Sequence, residues 1–191
     1  MKRIAIFASG SGSNAEHIAN YFSKSNLARV EAIYCNNPKA FVKQRAERLN
    51  IPFVLFDREQ FYASDSVLRD LQARKTDLIV LAGFLWLIPG NINKAFHDSI
   101  VNIHPALLPK YGGKGMYGLN VHEAVIDGGD TESGISIHLI DEVYDKGKIL
   151  LQVKCPVLPG DTPEILAERV HQLEYQHFPV VIQQLLEAEG A

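Results

Sequence analysis

The chain has 191 residues, of which 47% are hydrophobic and 21% charged, a balance typical of a globular protein with a hydrophobic core. A net charge of -3 disfavours nucleic acid and anionic membrane surfaces as partners. The N-terminal apolar run is too short for a signal peptide or a membrane span, so we expect a cytoplasmic location. The two cysteines lack CxxC spacing, and the histidines show no ligand spacing, so no metal site is indicated.

Strands and helices alternate in the N-terminal half of the chain. Apolar runs predict strands over 3–8, 30–35, 53–56 and 77–82. Helical periodicity predicts one helix after the glycine-rich turn at 9–14, a second over 38–49 and a third over 64–74. This alternation predicts an α/β fold, with a mostly parallel twisted sheet flanked by helices in a Rossmann-like arrangement.

The C-terminal half begins with a region of about 89–129 that is rich in proline and glycine and is predicted to form loops. Further strands are predicted over 100–103, 134–140 and 149–153. An amphipathic helix is predicted over 162–187, interrupted or kinked at Pro179. No linker or repeat divides the sequence, so a single domain over 1–191 is expected.

The segment SGSGSN at 9–14 places flexible backbone amides at the start of the first helix. The N–H groups and dipole of a helix N-terminus favour an anion, so a phosphate would fit there. The segment lacks the third glycine of GxGxxG and the Gly-Lys-Ser/Thr of a P-loop. A purely structural turn is the alternative interpretation.

Asn102 and His104 lie two residues apart in a predicted extended segment, so their side chains share one face. An amide can donate a hydrogen bond to a developing oxyanion, and an imidazole can exchange a proton near neutral pH. Asp145 follows the strand at 134–140 in a tight turn, where its carboxylate could orient His104. The alternatives are that all three side chains serve turns or are solvated.

The quoted segments, with LAGF at 81–84, NIHPALLPKYGG at 102–113 and GISIHLID at 134–141, resemble the 10-formyltetrahydrofolate-dependent formyltransferases. The resemblance covers essentially the whole chain. SGSGSN is similar to the phosphate loop of the glycinamide ribonucleotide branch, which serves purine biosynthesis. The methionyl-tRNA and formyltetrahydrofolate hydrolase branches carry further domains, for which 191 residues leave no room.

The resemblance implies functions for individual residues. The catalytic residues would be Asn102, His104 and Asp145, with Asp145 raising the pKa of His104. The ribonucleotide would be bound by Gly12, Ser13, Asn14 and Glu174, and the folate by Leu85, Trp86, Leu87, Asp141, Glu142 and Val143. Ser136 and His138 would support the same cleft. Trp86 stands where many relatives have arginine, and the bond before Pro109 is expected to be cis.

The implied activity is formyl transfer from 10-formyltetrahydrofolate, a co-substrate, to glycinamide ribonucleotide, without a metal. The N-terminal half would bind the nucleotide phosphate, and the C-terminal half would bind folate and perform catalysis. Two alternatives stay open: hydrolysis of formyltetrahydrofolate, and a non-catalytic nucleotide-binding module. Only small-molecule partners are expected, and the sequence leaves the oligomeric state open.

Overall fold

The computed structural model describes residues 1–140, 145 and 147–188. Within them, the strands are β1 (Lys2–Phe7), β2 (Ala28–Cys35), β3 (Phe53–Leu55), β4 (Leu78–Leu81), β5 (Ile100–His104), β6 (Glu132–Leu139) and β7 (Ile149–Pro156). The α-helices are α1 (Ser13–Phe22), α2 (Val42–Arg48), α3 (Ser66–Ala73), α4 (Gly90–Ala95), α5 (Leu119–Asp127) and α6 (Pro163–Ala188). A π-helical turn at Glu59–Ala63 precedes α3.

The strands form one sheet in the order β3-β2-β1-β4-β5-β6-β7. β1 pairs in parallel with β2 and with β4, and β2 pairs in parallel with β3. β6 and β7 pair antiparallel, with Ser136 opposite Gln152. The predicted α/β fold with a mostly parallel sheet is confirmed. The strand order reverses between β1 and β4, and in open α/β sheets ligands bind beside the carboxyl ends of strands at such a reversal.

The chain divides into two compact units, each described separately below. Unit 1 comprises Met1–Val101 together with residues 182–188, and unit 2 comprises Asn102–Val181. β5 therefore begins in unit 1 and ends in unit 2. The expectation of a single domain over 1–191 stays a prediction.

The core of unit 1 explains why its strands have continuous apolar sequences. All four residues of β4 are buried, as expected for a parallel strand that is covered on both faces. Phe7, at the carboxyl end of β1, stacks on Tyr34 with ring centroids 4.7 Å apart. Phe56, Phe61 and Phe84 also contact Phe7, and together these rings hold the end of β1 in place.

In unit 2, the six residues from Ser133 to His138 in β6 are all buried, whereas β7 is largely exposed or half-buried. Three of the buried residues, Ser133, Ser136 and His138, are polar. Buried polar groups of this kind require hydrogen-bond partners, and for Ser136 and His138 the partners belong to the candidate active site.

Two predicted helices begin later than expected. The helix predicted from Pro38 begins at Val42, because the Asn37 side chain accepts a hydrogen bond from the Lys39 N–H at 3.0 Å and forms a local turn instead. The helix predicted over 64–74 begins at Ser66. α4, α5 and the π-helical turn were not predicted, since helices as short as these carry little periodic signal.

The predicted C-terminal helix is confirmed as α6, which has 26 residues and continues through Pro179 without interruption. Leu166, Val170, Glu174 and Phe178 recur every four residues and are all buried, so they lie on one face. Glu174 is the charged member of this otherwise apolar face. Across residues 1–140 and 147–188, no helix has both the length and the hydropathy that crossing a membrane requires.

Candidate active site

The glycine-rich loop of unit 1 connects β1 to α1 at the reversal of strand order. Ser9 is buried, and its hydroxyl accepts a hydrogen bond from the Leu85 N–H at 3.1 Å. The Ser9 carbonyl oxygen accepts a bond from the Asn37 side chain at 3.3 Å. Ser9 therefore connects the predicted phosphate loop to the start of the predicted folate segment, and both segments belong to unit 1.

Gly12 is the residue that caps the N-terminus of α1, and Ser13 and Asn14 form its first turn. Its φ of 73° lies in the left-handed region, which favours glycine. A side chain at this position would also collide with Val42. The first N–H groups of any helix have no intrahelical acceptor, so this geometry is compatible with an anion at the start of α1.

Trp86 is half-buried in an aromatic cluster of unit 1. Its ring centroid lies 5.9 Å from those of Phe61 and Tyr62. The Arg58 guanidinium stands 5.2 Å from the Trp86 ring centroid and 5.5 Å from that of Tyr62. The neighbouring Leu85 is 45% exposed. The positive charge of Arg58 therefore lies against the rings of Trp86 and Tyr62.

In unit 2, Asn102 and His104 alternate with buried Ile103 at the end of β5. The Asn102 amide nitrogen lies 3.1 Å from Nε2 of His138 in β6. His138 Nδ1 lies 2.9 Å from the Leu139 carbonyl oxygen, and a carbonyl can only accept, so Nδ1 carries the proton. In neutral His138, Nε2 is therefore a hydrogen-bond acceptor. The Asn102 amide consequently directs its NH₂ group, rather than its oxygen, towards Nε2.

His104 is held between a backbone carbonyl and a carboxylate. Its Nε2 donates a hydrogen bond to the Tyr111 carbonyl oxygen at 2.7 Å. Its Nδ1 lies 3.7 Å from Asp145 Oδ2, which is beyond hydrogen-bond distance but within the range of a charge pair. Asp145 Oδ2 accepts a hydrogen bond from the Gly113 N–H at 2.8 Å. In the neutral ring, Nδ1 is thus the nitrogen that can take up a proton.

Burial has a larger effect on His104 than its charged neighbour has. Burial lowers the pKa of His104, Asp145 and the Tyr111 carbonyl raise it, and the net pKa lies below its ordinary value. Asp145 thus raises the pKa of His104 as predicted, but burial, which the sequence did not show, lowers it by more. For Asp145, burial raises the pKa, but contacts with His138, Gly113 and His104 lower it by more, so the net pKa lies below its ordinary value and the carboxyl stays ionised. The resting pair is a neutral imidazole beside a carboxylate.

Ser136 fixes the backbone that follows His104. Its buried hydroxyl donates to the Ala106 carbonyl at 2.7 Å and accepts from the Leu108 N–H at 2.9 Å. Gln152 donates to the Leu108 carbonyl and to the Ser136 hydroxyl, both at 2.8 Å. The peptide bond between Leu108 and Pro109 is cis, as predicted. The loop that returns to Tyr111 therefore rests on β6 and β7.

The structure brings together Asn102, His104 and Asp145 with His138 in unit 2. Glu174 belongs to the same unit and is 5% exposed, with a carboxylate oxygen 4.0 Å from His171 Nε2. Three predicted folate-binding positions, Asp141, Glu142 and Val143, lie outside the described residues. Over residues 1–140, 145 and 147–188, no three His, Cys, Asp or Glu side chains form a group that could hold a metal ion.

Three contacts of this cluster were not predicted. They are the hydrogen bond from Asn102 to His138, the Tyr111 carbonyl at His104, and the Gly113 N–H at Asp145. For the first, strand alternation indicates that Ser136 and His138 share one face, but it does not indicate that Asn102 lies beside them. The other two are backbone contacts, and no residue type marks them.

The formyl transferase family matches residues 2–182 of this chain. Phosphoribosylglycinamide formyltransferase of Haemophilus influenzae is 36% identical over 187 residues, which are 95% of this chain and 86% of the relative. The chloroplastic phosphoribosylglycinamide formyltransferase of Vigna unguiculata is 41% identical over 97% of this chain. This chain spans 61% of the length of that relative and 64% of that of its Arabidopsis thaliana counterpart.

Solved structures agree with the sequence comparison. The crystal structure of glycinamide ribonucleotide transformylase 1 from Geobacillus kaustophilus matches with a TM-score of 0.88 and 38% identity, covering 97% of this chain and 99% of that chain. The crystal structure of glycinamide ribonucleotide transformylase 1 from Symbiobacterium toebii matches with a TM-score of 0.90 and 31% identity, covering 98% and 89%. The similarity therefore extends over both units.

Proposed function

Since this chain belongs to the formyl transferase family, we propose that it transfers the formyl group of 10-formyltetrahydrofolate to the amino group of glycinamide ribonucleotide. The observation that carries the proposal is the cluster of half-buried Asn102, buried His104 and half-buried Asp145, which supplies an amide donor, a neutral imidazole and a carboxylate. These are the groups that acyl transfer to an amine requires. The reaction would serve purine biosynthesis.

The amine nitrogen of the nucleotide attacks the formyl carbon, and the carbonyl oxygen becomes an oxyanion. Asn102 donates a hydrogen bond to that oxygen through its NH₂ group, whose orientation His138 sets. Because a primary amine is already a nucleophile, the chain needs to form no covalent intermediate. The carboxylate and imidazole act on the protons rather than on the carbon.

The attacking amine must lose a proton, and folate N10 must gain one as its bond to the formyl carbon breaks. His104 Nδ1 is the ring nitrogen without a proton, so it takes the proton of the amine. Asp145, 3.7 Å away, stabilises the imidazolium that forms. The proton then passes to N10, and His104 returns to its neutral resting state.

Substrate binding is proposed at the other predicted residues. The nucleotide phosphate would bind at Gly12, Ser13 and Asn14, and Glu174 would contact the glycinamide end. The folate would bind at residues 85–87 and 141–143. A cytoplasmic location and the absence of nucleic-acid partners stay predictions from the sequence.

The proposal is tested by incubating the chain with 10-formyltetrahydrofolate, with and without glycinamide ribonucleotide, and following formylated nucleotide and free formate. We expect formylated nucleotide, with little formate when the nucleotide is omitted. Asn102→Ala should lower kcat by about 10²- to 10³-fold. Asn20→Ala, an exposed position on α1, is the matched control and should change little.

Two outcomes would contradict the proposal. Equal formate release with and without the nucleotide would indicate a hydrolase. Tight nucleotide binding without turnover of either substrate would indicate a non-catalytic binding module.

A further inference from the structure

Helix α2 holds the glycine-rich loop at three consecutive residues. The Val42 N–H donates a hydrogen bond to the Gly10 carbonyl oxygen at 3.1 Å. Arg45 Nε donates to the Ser11 carbonyl oxygen at 2.9 Å. The Val42 side chain occupies the space next to Gly12 that a side chain there would need. All of these residues belong to unit 1.

The carbonyl contacts also determine where the N–H groups of the loop point. In a planar trans peptide unit, the C=O and the N–H of the next residue point in opposite directions. The Gly10 carbonyl faces α2, so the Ser11 N–H points away from α2. The Ser11 carbonyl faces Arg45, so the Gly12 N–H points away from Arg45. The contacts with α2 therefore orient two consecutive N–H donors, those of Ser11 and Gly12, away from α2.

Arg45 is itself fixed on two further sides. Its guanidinium forms an ion pair with Glu16 in the first turn of α1, and it lies 5.2 Å from the centroid of the Phe41 ring. Its side chain is only 20% exposed. Arg48 pairs with the other oxygen of the same carboxylate but is 60% exposed, and within the described part of the chain its side chain forms no hydrogen bond with the loop. The two arginines therefore differ in what they touch besides Glu16.

We propose that Arg45 is a positioning residue for the phosphate of the nucleotide, acting through the Ser11 carbonyl. The proposal rests on the proposed function, in which Gly12, Ser13 and Asn14 bind that phosphate. Arg45 does not touch the ligand. It keeps the peptide unit between Ser11 and Gly12 in the orientation that presents the Gly12 N–H to an anion.

A simpler role is charge compensation, in which Arg45 only neutralises Glu16 near a phosphate. The two roles predict opposite results for Glu16→Ala. Removal of the carboxylate takes a negative charge away from the site, so charge compensation predicts tighter nucleotide binding. Positioning predicts weaker binding, because Arg45 loses the partner that holds its guanidinium against Ser11. The sign of the change therefore separates them.

The experiment measures kcat and both KM values, together with nucleotide affinity by calorimetry, for Arg45→Ala, Arg45→Lys, Glu16→Ala and Arg48→Ala. Arg45→Ala should raise the nucleotide Kd and KM by about tenfold, the effect of losing one charge-assisted hydrogen bond. The kcat and the KM for formyltetrahydrofolate should stay within about twofold. Arg45→Lys should recover only part of the loss, since an ammonium lacks the fork that reaches two acceptors.

Arg48→Ala is the matched control, because it removes an arginine from the same carboxylate without touching the loop, and it should leave the nucleotide Kd within about twofold. Thermal unfolding of each variant reports any general loss of folding. An unchanged Kd for Arg45→Ala, a lower Kd for Glu16→Ala, or complete recovery by Arg45→Lys would overturn the inference. Calorimetry gives these results even if turnover fails. If the unmodified chain shows no formyl transfer, the proposed function is refuted. If Asn14→Ala leaves the nucleotide Kd unchanged, only the assignment of the phosphate site to Gly12, Ser13 and Asn14 is refuted.

Discussion

His138 is expected to influence the reaction through Asn102, and replacing both residues tests this directly. The Nδ1 proton of His138 is committed to the Leu139 carbonyl, which leaves Nε2 to accept the Asn102 amide at 3.1 Å. Without that acceptor, the amide can turn by half a rotation and present its oxygen to the cleft. An oxygen would repel an oxyanion, so a misoriented Asn102 is inactive.

The size of the effect follows from the single hydrogen bond that is lost. A neutral hydrogen bond contributes about 0.5–1.5 kcal/mol, which corresponds to roughly a twofold to tenfold decrease in kcat for His138→Phe. Removal of the donor itself in Asn102→Ala should cost about 10²- to 10³-fold. If His138 acts through Asn102, the double variant should have the kcat of Asn102→Ala, because there is no longer an amide to orient.

The assay is single-turnover formation of formylated nucleotide by the four proteins, with thermal unfolding measured in parallel. His138 is 1% exposed, so His138→Phe is expected to lose some stability, and all rates are compared well below the lowest unfolding temperature. The reasoning is refuted if the two decreases multiply in the double variant. In that case His138 would act on Asp145, 3.5 Å away, or on the substrate itself.

Asp145→Asn should lower the pKa of His104 further, because the contribution that raises it is lost while burial continues to lower it; coinciding NMR titration curves for the two proteins would contradict this. Burial, with His171 and His104 nearby, lowers the pKa of His122 from 6.5 to about 4. The unfolded chain therefore binds a proton there that the folded chain does not, and stability should fall by about 2 kcal/mol between about pH 7 and about pH 5; urea unfolding of His122→Phe should show a smaller fall. Ser136→Ala should lose about 1–3 kcal/mol in the same measurement, since the buried N–H and C=O groups of its partners lose a hydrogen bond, and an unchanged midpoint would show that water replaces the hydroxyl. Trp86→Arg should reduce stability by about 1–3 kcal/mol, because the new cation would lie beside the Arg58 guanidinium among aromatic rings; a stable variant with stronger folate binding would instead place this side chain in the folate cleft.

The sequence predicted those parts of the site that one segment builds alone. β1, the glycine turn and α1 follow one another directly, and Gly12 lies at the helix start as expected. Asn102 and His104 share a face because alternation along a strand is a local property. Local periodicity and turn chemistry were sufficient in both cases.

The features that the sequence did not predict depend on residues that are distant from one another in the chain. The bond from Asn102 to His138 exists because β5 and β6 are neighbours in the sheet, which no local pattern states. The direction of the His104 pKa shift depends on how completely the fold buries the ring. The short helices α4 and α5 were missed for the same reason, since contacts with distant residues rather than their own periodicity stabilise them.

The pairing of β6 with β7 determines when the segment around His104 can become ordered. Ser136 and Gln152 are cross-strand partners separated by only 16 residues, so their strands close a small loop and can pair on the order of microseconds. A slip of β7 by one residue would turn the Gln152 side chain to the opposite face and remove its hydrogen bonds to the Leu108 carbonyl and the Ser136 hydroxyl. The β6–β7 pair, which comes later in the chain, therefore supplies the hydrogen-bond partners that order the loop after His104. In this part of the chain, we therefore expect the order of folding to be the reverse of the order of synthesis.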